Sequence, residues 1–101
     1  MGKQDQDRPS GWASALGRLT YPYYDQAGFT LTFGVTAYAD RYQITLWWNG
    51  ARCRRATRRT LAGALNWATR EADGLLVQFG MPAKQVPLSD LIEAVERRLA
   101  A

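Results

Sequence analysis

The sequence predicts an α+β domain in which a three-stranded antiparallel meander is followed by two helices packed on one face, in the order β-β-β-α-α. Three observations predict this arrangement. Apolar and polar residues alternate over 29–38 and again over 42–48, Asn49-Gly50 joins the second run to a third, and apolar residues then recur at helical spacing. At 101 residues and 47% hydrophobic composition, the chain is one domain with one core.

The N-terminal region has no regular period. Residues 1–10 are polar and predict a flexible tail, so that the single α+β domain spans residues 11–101. Residues 11–19 predict one or two helical turns, and residues 21–24 predict an aromatic loop because Pro22 disfavours a helix there. The polar N-terminus is neither a signal peptide nor a membrane anchor, which predicts a cytoplasmic protein.

The first two strands form a hairpin over a turn at Ala39-Asp40. Both runs are rich in β-branched and aromatic residues, as expected of half-buried strands. The turn predicts a register in which apolar side chains face each other in three successive pairs: Val35 with Ile44, Phe33 with Leu46, and Leu31 with Trp48.

Asn49-Gly50 predicts a type I′ turn, since both residues tolerate the positive φ that this turn demands. The turn sets the register of the third strand. Trp47 then faces Arg52, Leu46 faces Cys53, and Thr45 faces Arg54. In this register Cys53 lies on the core face as a small buried thiol.

Two helices are predicted after the sheet. Thr57 is the predicted N-cap of the first, and Gly80 marks its end. Gly74 leaves an alternative open, in which the helix breaks and residues 75–79 form a fourth strand. Ser89 is the predicted N-cap of the last helix, which carries an apolar stripe of Leu91, Ile92, Val95 and Leu99.

Basic charge is concentrated in the middle of the chain. Residues 41–70 hold seven arginines and no acidic residue, whereas residues 1–40 carry a net charge of −1 and residues 71–101 a net charge of −2. Arginine is planar, weakly hydrated and suited to bidentate contact with phosphate or carboxylate. The block predicts a polyanionic partner or an acidic protein patch, and a merely solvated face is the alternative.

The polar face of the predicted sheet combines Trp47 with Arg41, Arg52 and Arg54 and carries no acidic residue. A platform of aromatic and arginine side chains suits nucleobases, a phosphate backbone or an acidic protein patch. The alternative is that Trp12 and the aromatic loop at 21–24 fold over this face and bury Trp47.

A second candidate site surrounds the start of the first helix. Arginines there oppose the helix dipole, but together with unpaired backbone N–H groups they predict an anion site. The candidate binding residues of both sites are Trp47, Arg41, Arg52, Arg54, Arg55, Arg58 and Arg59.

The composition excludes several classes of chemistry. The chain has no histidine and one cysteine, so it offers no Ser–His or Cys–His nucleophile pair, no intramolecular disulfide and no cysteine-based zinc cluster. The sequence therefore predicts a binding protein without catalytic residues, metal or cofactor and without membrane contact. It leaves the oligomeric state open.

The run from Tyr42 to Ala68 is a hairpin, a basic third strand and an alanine-rich helix. Over residues 29–80 this arrangement resembles small phage-encoded inhibitors of the anti-CRISPR type, several of which use a similar ββα unit. It is also similar to the three-stranded-sheet-plus-helix DNA-binding domains of phage integrases. A weaker similarity is to the double-stranded-RNA-binding domain, through its order of helix, three strands and helix.

The resemblance to the inhibitors implies a non-enzymatic protein of a phage or mobile element. Such a protein acts by occupancy on a host protein or a nucleoprotein defence complex in the bacterial cytoplasm. The alternative is a stand-alone nucleic-acid-binding domain that uses the basic sheet face and the helix N-terminus.

Overall fold

The computed structural model describes residues 15–100, which form one four-stranded antiparallel sheet and two helices. The strands are β1 (Gly17–Gln26), β2 (Phe29–Ala37), β3 (Tyr42–Trp48) and β4 (Ala51–Arg58), and the helices are α1 (Leu61–Gln78) and α2 (Leu88–Ala100). The strands follow each other in the sheet in chain order. The α+β class, the antiparallel sheet and the two helices are confirmed, but the prediction of three strands is wrong. The predicted tail at 1–10 and residues 11–14 lie outside the described residues.

The additional strand is β1, which replaces the predicted helical turn from residue 17 onward and the predicted aromatic loop. Leu19 pairs with Val35 and Tyr21 pairs with Phe33, so both β1 side chains contact the core. Pro22 has no N–H to donate, but β1 is at the edge of the sheet and one side of an edge strand needs no donor. The edge position therefore makes the proline compatible with a strand.

Tyr23 lies where the register of β1 shifts, between Pro22 and Tyr24. Its side chain is buried, its ring stacks on Phe33 with the centroids 4.8 Å apart, and its hydroxyl donates to Asp73 Oδ1 at 2.8 Å. Burial raises the pKa of Tyr23 above its usual value, and the hydrogen bond to the Asp73 carboxylate raises it further. Tyr23 continues the inward alternation of Leu19 and Tyr21 and joins β1 to α1 through its hydroxyl, and the shift brings Tyr24 opposite the core residue Leu31 as well.

Asp73 also holds the connection between the two helices. Its two carboxylate oxygens accept hydrogen bonds from the backbone N–H groups of Lys84 and Gln85, at 3.2 and 3.3 Å. Lys84 Nζ in turn donates to the carbonyl of Tyr23. One α1 carboxylate thereby ties β1, α1 and the segment before α2 together.

The predicted β2–β3 register is confirmed in all three apolar pairs: Val35 with Ile44, Phe33 with Leu46, and Leu31 with Trp48. The predicted turn into β4 is also confirmed, because Asn49 and Gly50 have φ of 49° and 85°. Asn49 Oδ1 further accepts a hydrogen bond from the backbone N–H of Thr30 at 2.7 Å.

β4 leaves the predicted register after its second residue. Trp47 faces Arg52 as predicted, but the ladder then shifts so that Leu46 faces Arg54. Cys53 is the extra residue of this bulge. The prediction that it is a buried core thiol is wrong: Cys53 is exposed, and its Sγ donates to the Leu46 carbonyl at 3.3 Å.

The bulge decides which β4 residues lie on the helix side of the sheet. In an unshifted ladder Arg55 would lie opposite Ile44, which is 0% exposed. With the shift, Ala56 faces Ile44 and packs against the core instead, while Arg54 lies opposite Leu46. The Arg54 guanidinium is accommodated on that side because it remains exposed and pairs with Glu71.

Both helix starts differ from the prediction. Because β4 continues to Arg58, Thr60 rather than Thr57 is the N-cap of α1, and its side-chain oxygen accepts from the N–H of Gly63 at 3.0 Å. α2 begins at Leu88, so Ser89 lies within its first turn.

Within α1, Gly74 does not interrupt the helix, which makes the alternative of a fourth strand at 75–79 wrong. The predicted end at Gly80 is confirmed by its φ of 83°. Neither helix in the described range 15–100 is long and apolar enough to cross a membrane.

One hydrophobic cluster joins the sheet to both helices. It takes alternate residues of β2 and β3, Tyr23 of β1, one stripe of α1 and two residues of α2. Its buried members are Tyr23, Leu31, Phe33, Val35, Ile44, Leu46, Leu61, Ala64, Leu65, Ala68, Ala72, Leu75, Leu76, Leu91 and Val95.

Candidate functional site

The sheet positions that alternate with the core positions make up what we call the open face. These residues are hydroxyl-bearing, aromatic or charged for the most part, and none belongs to the core cluster. The register assigns to the open face Arg18, Thr20, Pro22, Asp25, Thr30, Thr32, Gly34, Thr36, Gln43, Thr45, Trp47, Arg52, Arg55 and Thr57.

Strand pairing orders the middle of this face into two rows that cross all four strands. Each row ends at an exposed arginine of β4. One row consists of Pro22, Thr32, Trp47 and Arg52, and the next consists of Thr20, Gly34, Thr45 and Arg55.

Trp47 is partly exposed and lies against the neighbouring row. A Cβ atom added to Gly34 would meet Trp47 Nε1 at 3.0 Å and Cδ1 at 3.8 Å, so the pyrrole edge of the indole rests where another residue would have a side chain. Gly34 therefore lets the indole approach the β2 backbone. The alternative prediction that residues 21–24 cover Trp47 is wrong, since the tyrosines of β1 contact the core instead. Trp12, the other part of that prediction, lies outside the described residues.

Beside the indole is a shallow groove of about 400 Å³. Trp47 bounds it on β3, and the backbone of β1 with Arg18 bounds it on the other side. Between them the groove is lined by Thr20, Gly34, Thr36 and Thr45, together with Leu19 and Val35. The lining offers three hydroxyls, one aromatic ring and one guanidinium.

Three arginines of the open face have guanidinium groups without a hydrogen bond or ion pair inside the described part of the chain. Arg18 lies on β1 at one edge of the sheet, and Arg52 and Arg55 lie on β4 at the opposite edge. All three side chains are exposed. β1 also brings one carboxylate to this face, Asp25, which pairs with Thr30 at the corner near the β1–β2 turn. The open face is therefore basic at both edges.

The bulge at Cys53 separates arginines that the sequence placed together. It exchanges the faces of two neighbours: Arg55 rather than Arg54 lies opposite Thr45 on the open face. Arg54 turns to the helix side, where its Nη1 donates to Glu71 Oε1. Partial desolvation raises the pKa of the Cys53 thiol, although the positive charge of Arg54 opposes the shift.

The other predicted site residues lie apart from the open-face groove. Arg41 makes a bidentate ion pair with its neighbour Asp40, at 2.9 and 3.0 Å. Hydrogen bonding to the Arg41 guanidinium lowers the pKa of Asp40 below its usual value. Arg58 donates to the carbonyl of Thr57, and Arg59 lies in the short connection between β4 and α1.

A second groove of about 400 Å³ lies between the end of β4 and α1. Arg58 and Arg70 line it, with Gly63, Asn66, Trp67 and Glu71. The arginines around the start of α1 are thus divided: Arg58 faces this groove, Arg54 is paired with Glu71, and Arg55 is on the open face.

Sequence reasoning missed the contribution of β1 to the site. Arg18 and Thr20 line the groove, yet Arg18 lay in the predicted helical turn at 11–19 and Thr20 between this turn and the predicted aromatic loop. The alternation of Arg18 and Thr20 with Leu19 and Tyr21 is the signal that finds them, because it has the period of a strand.

No group of three or more histidine, cysteine, aspartate or glutamate side chains is placed to hold a metal ion within residues 15–100. Comparison with protein-family models, with curated proteins and with solved structures finds no match to this chain. The function is therefore argued from the geometry and charge of the site.

Proposed function

We propose that this protein is a non-enzymatic binding protein that contacts nucleic acid through the open face and acts by occupancy. The observation that carries the proposal is the set of three exposed guanidiniums, Arg18, Arg52 and Arg55, at the two edges of a sheet face whose middle holds Trp47. Arginine contacts phosphate oxygens in a planar, bidentate way, and an aromatic ring between phosphate contacts suits a base.

The spacing of the arginines supports an extended target. Arg18 and Arg55 lie on the two edge strands, which are three strand spacings, or about 14 Å, apart. A single small anion cannot bridge that distance, whereas a polyanion presents phosphates along its length. The one carboxylate of the face, Asp25, is at a corner and leaves the path between the arginines clear.

The first prediction concerns salt. If three guanidiniums each neutralise one phosphate, log K should fall with log salt with a slope of about −2 for a single strand or about −2.7 for a duplex. Fluorescence anisotropy with labelled oligonucleotides between 50 and 200 mM NaCl measures this slope. In the triple variant Arg18→Gln, Arg52→Gln and Arg55→Gln we expect a slope near zero and at least a tenfold loss of affinity at 50 mM.

The matched control removes the same charge elsewhere. Arg58→Gln, Arg59→Gln and Arg70→Gln change three arginines near the start and middle of α1, away from the open face. This control should keep most of the affinity and the slope. An equal loss in both triple variants would mean that only net charge matters, and a loss in the control alone would move the site to the helix start. Absence of binding by the unmodified protein at 50 mM would refute the nucleic-acid proposal.

A second candidate function is inhibition of a host nucleoprotein defence complex, in the manner of the anti-CRISPR type. The observation that favours it is the division of the β4 arginines, since Arg55 lies on the open face and Arg58 lines the groove against α1 on the other side of the sheet. Basic charge on both sides of the β4 edge suits a target that encloses this edge. A nucleoprotein effector is such a target, because an acidic protein surface and the phosphates of a guide strand lie side by side in it. The partner would then be the effector complex in the bacterial cytoplasm.

This candidate predicts a biological outcome. Expression of the protein should restore plaque formation by a phage that a CRISPR system normally stops, and the triple variant of Arg18, Arg52 and Arg55 should lose the effect. Restoration that persists in the triple variant would keep the inhibitor function but remove the open face as its site. Absence of restoration across the common effector types would contradict the inhibitor and leave the nucleic-acid proposal standing.

A further inference from the structure

We infer that the groove beside Trp47 is a subsite for one unpaired nucleobase, which makes single-stranded nucleic acid the target class of the open face. The inference rests on the proposed function, since the arginines must first hold the strand. The subsite adds a contact that depends on the presence of a base, whereas the arginines contact only phosphate.

The indole is positioned before any ligand arrives. Its pyrrole edge lies against Gly34, where an added Cβ would be only 3.0 Å from Nε1, and the ring forms one wall of the groove. A ring held by the sheet loses little conformational freedom on binding, so most of the stacking energy is available for affinity. Trp47 is thus an aromatic surface that is already in place.

The size and lining of the groove suit a base. A volume of about 400 Å³ is at the small end of the range for small-molecule sites and is sufficient for one base. Thr20, Thr36 and Thr45 are among its lining residues, and a threonine hydroxyl both donates and accepts. Such groups bond to the edge of any base, which predicts little sequence preference.

The surroundings supply the phosphate contacts. Arg18 is on the rim of the groove, and Arg52 is the strand partner of Trp47. A nucleotide with its base against the indole therefore has guanidiniums on both sides for its flanking phosphates. Stacking of bases on aromatic rings along a basic surface is the usual way in which proteins bind single strands without sequence preference.

A duplex fits this face poorly. Four strands span about 14 Å between the outer backbones, whereas the major groove of B-DNA is about 12 Å wide. The sheet is therefore too broad to enter the groove. The bases of a duplex are also stacked on both faces, so none is available to Trp47 unless the pair is opened.

The experiment compares three ligands: single-stranded dT12, an abasic 12-mer with the same number of phosphates, and a 12-base-pair duplex that has this number of phosphates in each of its two strands. Binding is measured by anisotropy at 50 mM NaCl. We expect dT12 to bind about 5- to 150-fold more tightly than the abasic strand, which is the range for one stacked base. The duplex should bind no better than the abasic strand.

Two variants locate the contact on Trp47. Trp47→Ala should lower the affinity for dT12 to that for the abasic strand and leave abasic binding unchanged. Gly34→Ala keeps every charge and the indole itself, but its Cβ would be 3.0 Å from Nε1 and would shift the ring by a few tenths of an ångström, so it should weaken dT12 binding less than Trp47→Ala does and leave abasic binding unchanged. Gly74→Ala is the matched control, since a Cβ there meets nothing within 4 Å, and it should bind dT12 as the unmodified protein does. Thermal unfolding of each variant verifies that it is folded.

The outcomes separate this inference from the proposed function. Equal binding of dT12 and the abasic strand, with the salt slope intact, overturns the base subsite and keeps nucleic-acid binding. Tighter binding of the duplex overturns it in the same way. Absence of binding by all three ligands overturns both. Tighter binding of a 12-residue polyglutamate than of dT12, lost in Trp47→Ala, would assign the groove to an acidic peptide and overturn the inference.

Discussion

Replacement of Phe33 by alanine should lower the free energy of unfolding by about 3–5 kcal/mol, the usual cost of removing a buried aromatic ring. Phe33 is 0% exposed, pairs with Leu46 across the β2–β3 ladder and stacks on Tyr23 with the ring centroids 4.8 Å apart. The substitution leaves a cavity between the sheet and the stacked tyrosine. Since small domains have only about 5–15 kcal/mol of stability in total, the variant should be close to unfolding at room temperature.

Urea denaturation followed by tryptophan fluorescence measures this loss. Val77→Ala is the control, because Val77 is an apolar α1 residue that is 61% exposed and should change stability by less than about 0.5 kcal/mol. A loss below about 1 kcal/mol in Phe33→Ala would contradict the burial of this ring at the centre of the core.

Replacement of Asp73 by alanine should destabilise the protein by about 1–3 kcal/mol, because the Tyr23 hydroxyl would lose its acceptor inside the core. The backbone N–H groups of Lys84 and Gln85 would lose the same carboxylate, so amide hydrogen exchange in the segment between the helices should accelerate. Glu96→Ala on α2 is the control, since Glu96 is exposed and should have little effect.

The role of the Tyr23–Asp73 pair can be isolated with a double variant. Tyr23→Phe removes the hydroxyl that Asp73 accepts from, so Asp73→Ala should cost less in that background than in the unmodified protein. Fully additive losses would show that the two side chains do not interact. Unchanged exchange at Lys84 and Gln85 in Asp73→Ala would show that the carboxylate does not hold the interhelical segment.

The proposed binding surface and the stabilising core use different side chains. Trp47 and the three open-face arginines are outside the core cluster, whereas Phe33 and Tyr23 belong to it and Asp73 binds the Tyr23 hydroxyl from α1. Variants of the open face should therefore change binding with small effects on stability. A site built on strands is also held more precisely than one on loops, which suits the fixed position of the indole.

The predicted site was found in part because its signals are local. The positions of Trp47 and Arg52 follow from an Asn49-Gly50 turn one residue away, so the sequence alone predicts their pairing. The position of Arg18 could be predicted only if β1 were recognised as a strand, and no turn signal separates the start of β1 from the N-terminal tail. Arg55 depends on a bulge, after which Ala56 rather than Arg55 lies opposite the buried Ile44.

β1 shows why local patterns failed at the N-terminal end. A proline among three tyrosines has neither the strict alternation of a strand nor the period of a helix, and propensity then favours a loop. Its strand geometry exists because β2 offers a free edge and because a proline is tolerated where no partner lies on the far side. Both conditions are properties of the assembled sheet.

The class of the domain, the β2–β3 register, the turn into β4 and the α1 end at Gly80 follow from the sequence alone. In each case side chains adjacent in sequence, or a period of two or 3.6, carry the information. The fourth strand, the bulge at Cys53 and the division of the arginines between two faces follow only from the tertiary structure. They depend on contacts between residues far apart in the chain, such as Ala56 opposite Ile44 and Arg54 paired with Glu71, which no local pattern of residues records.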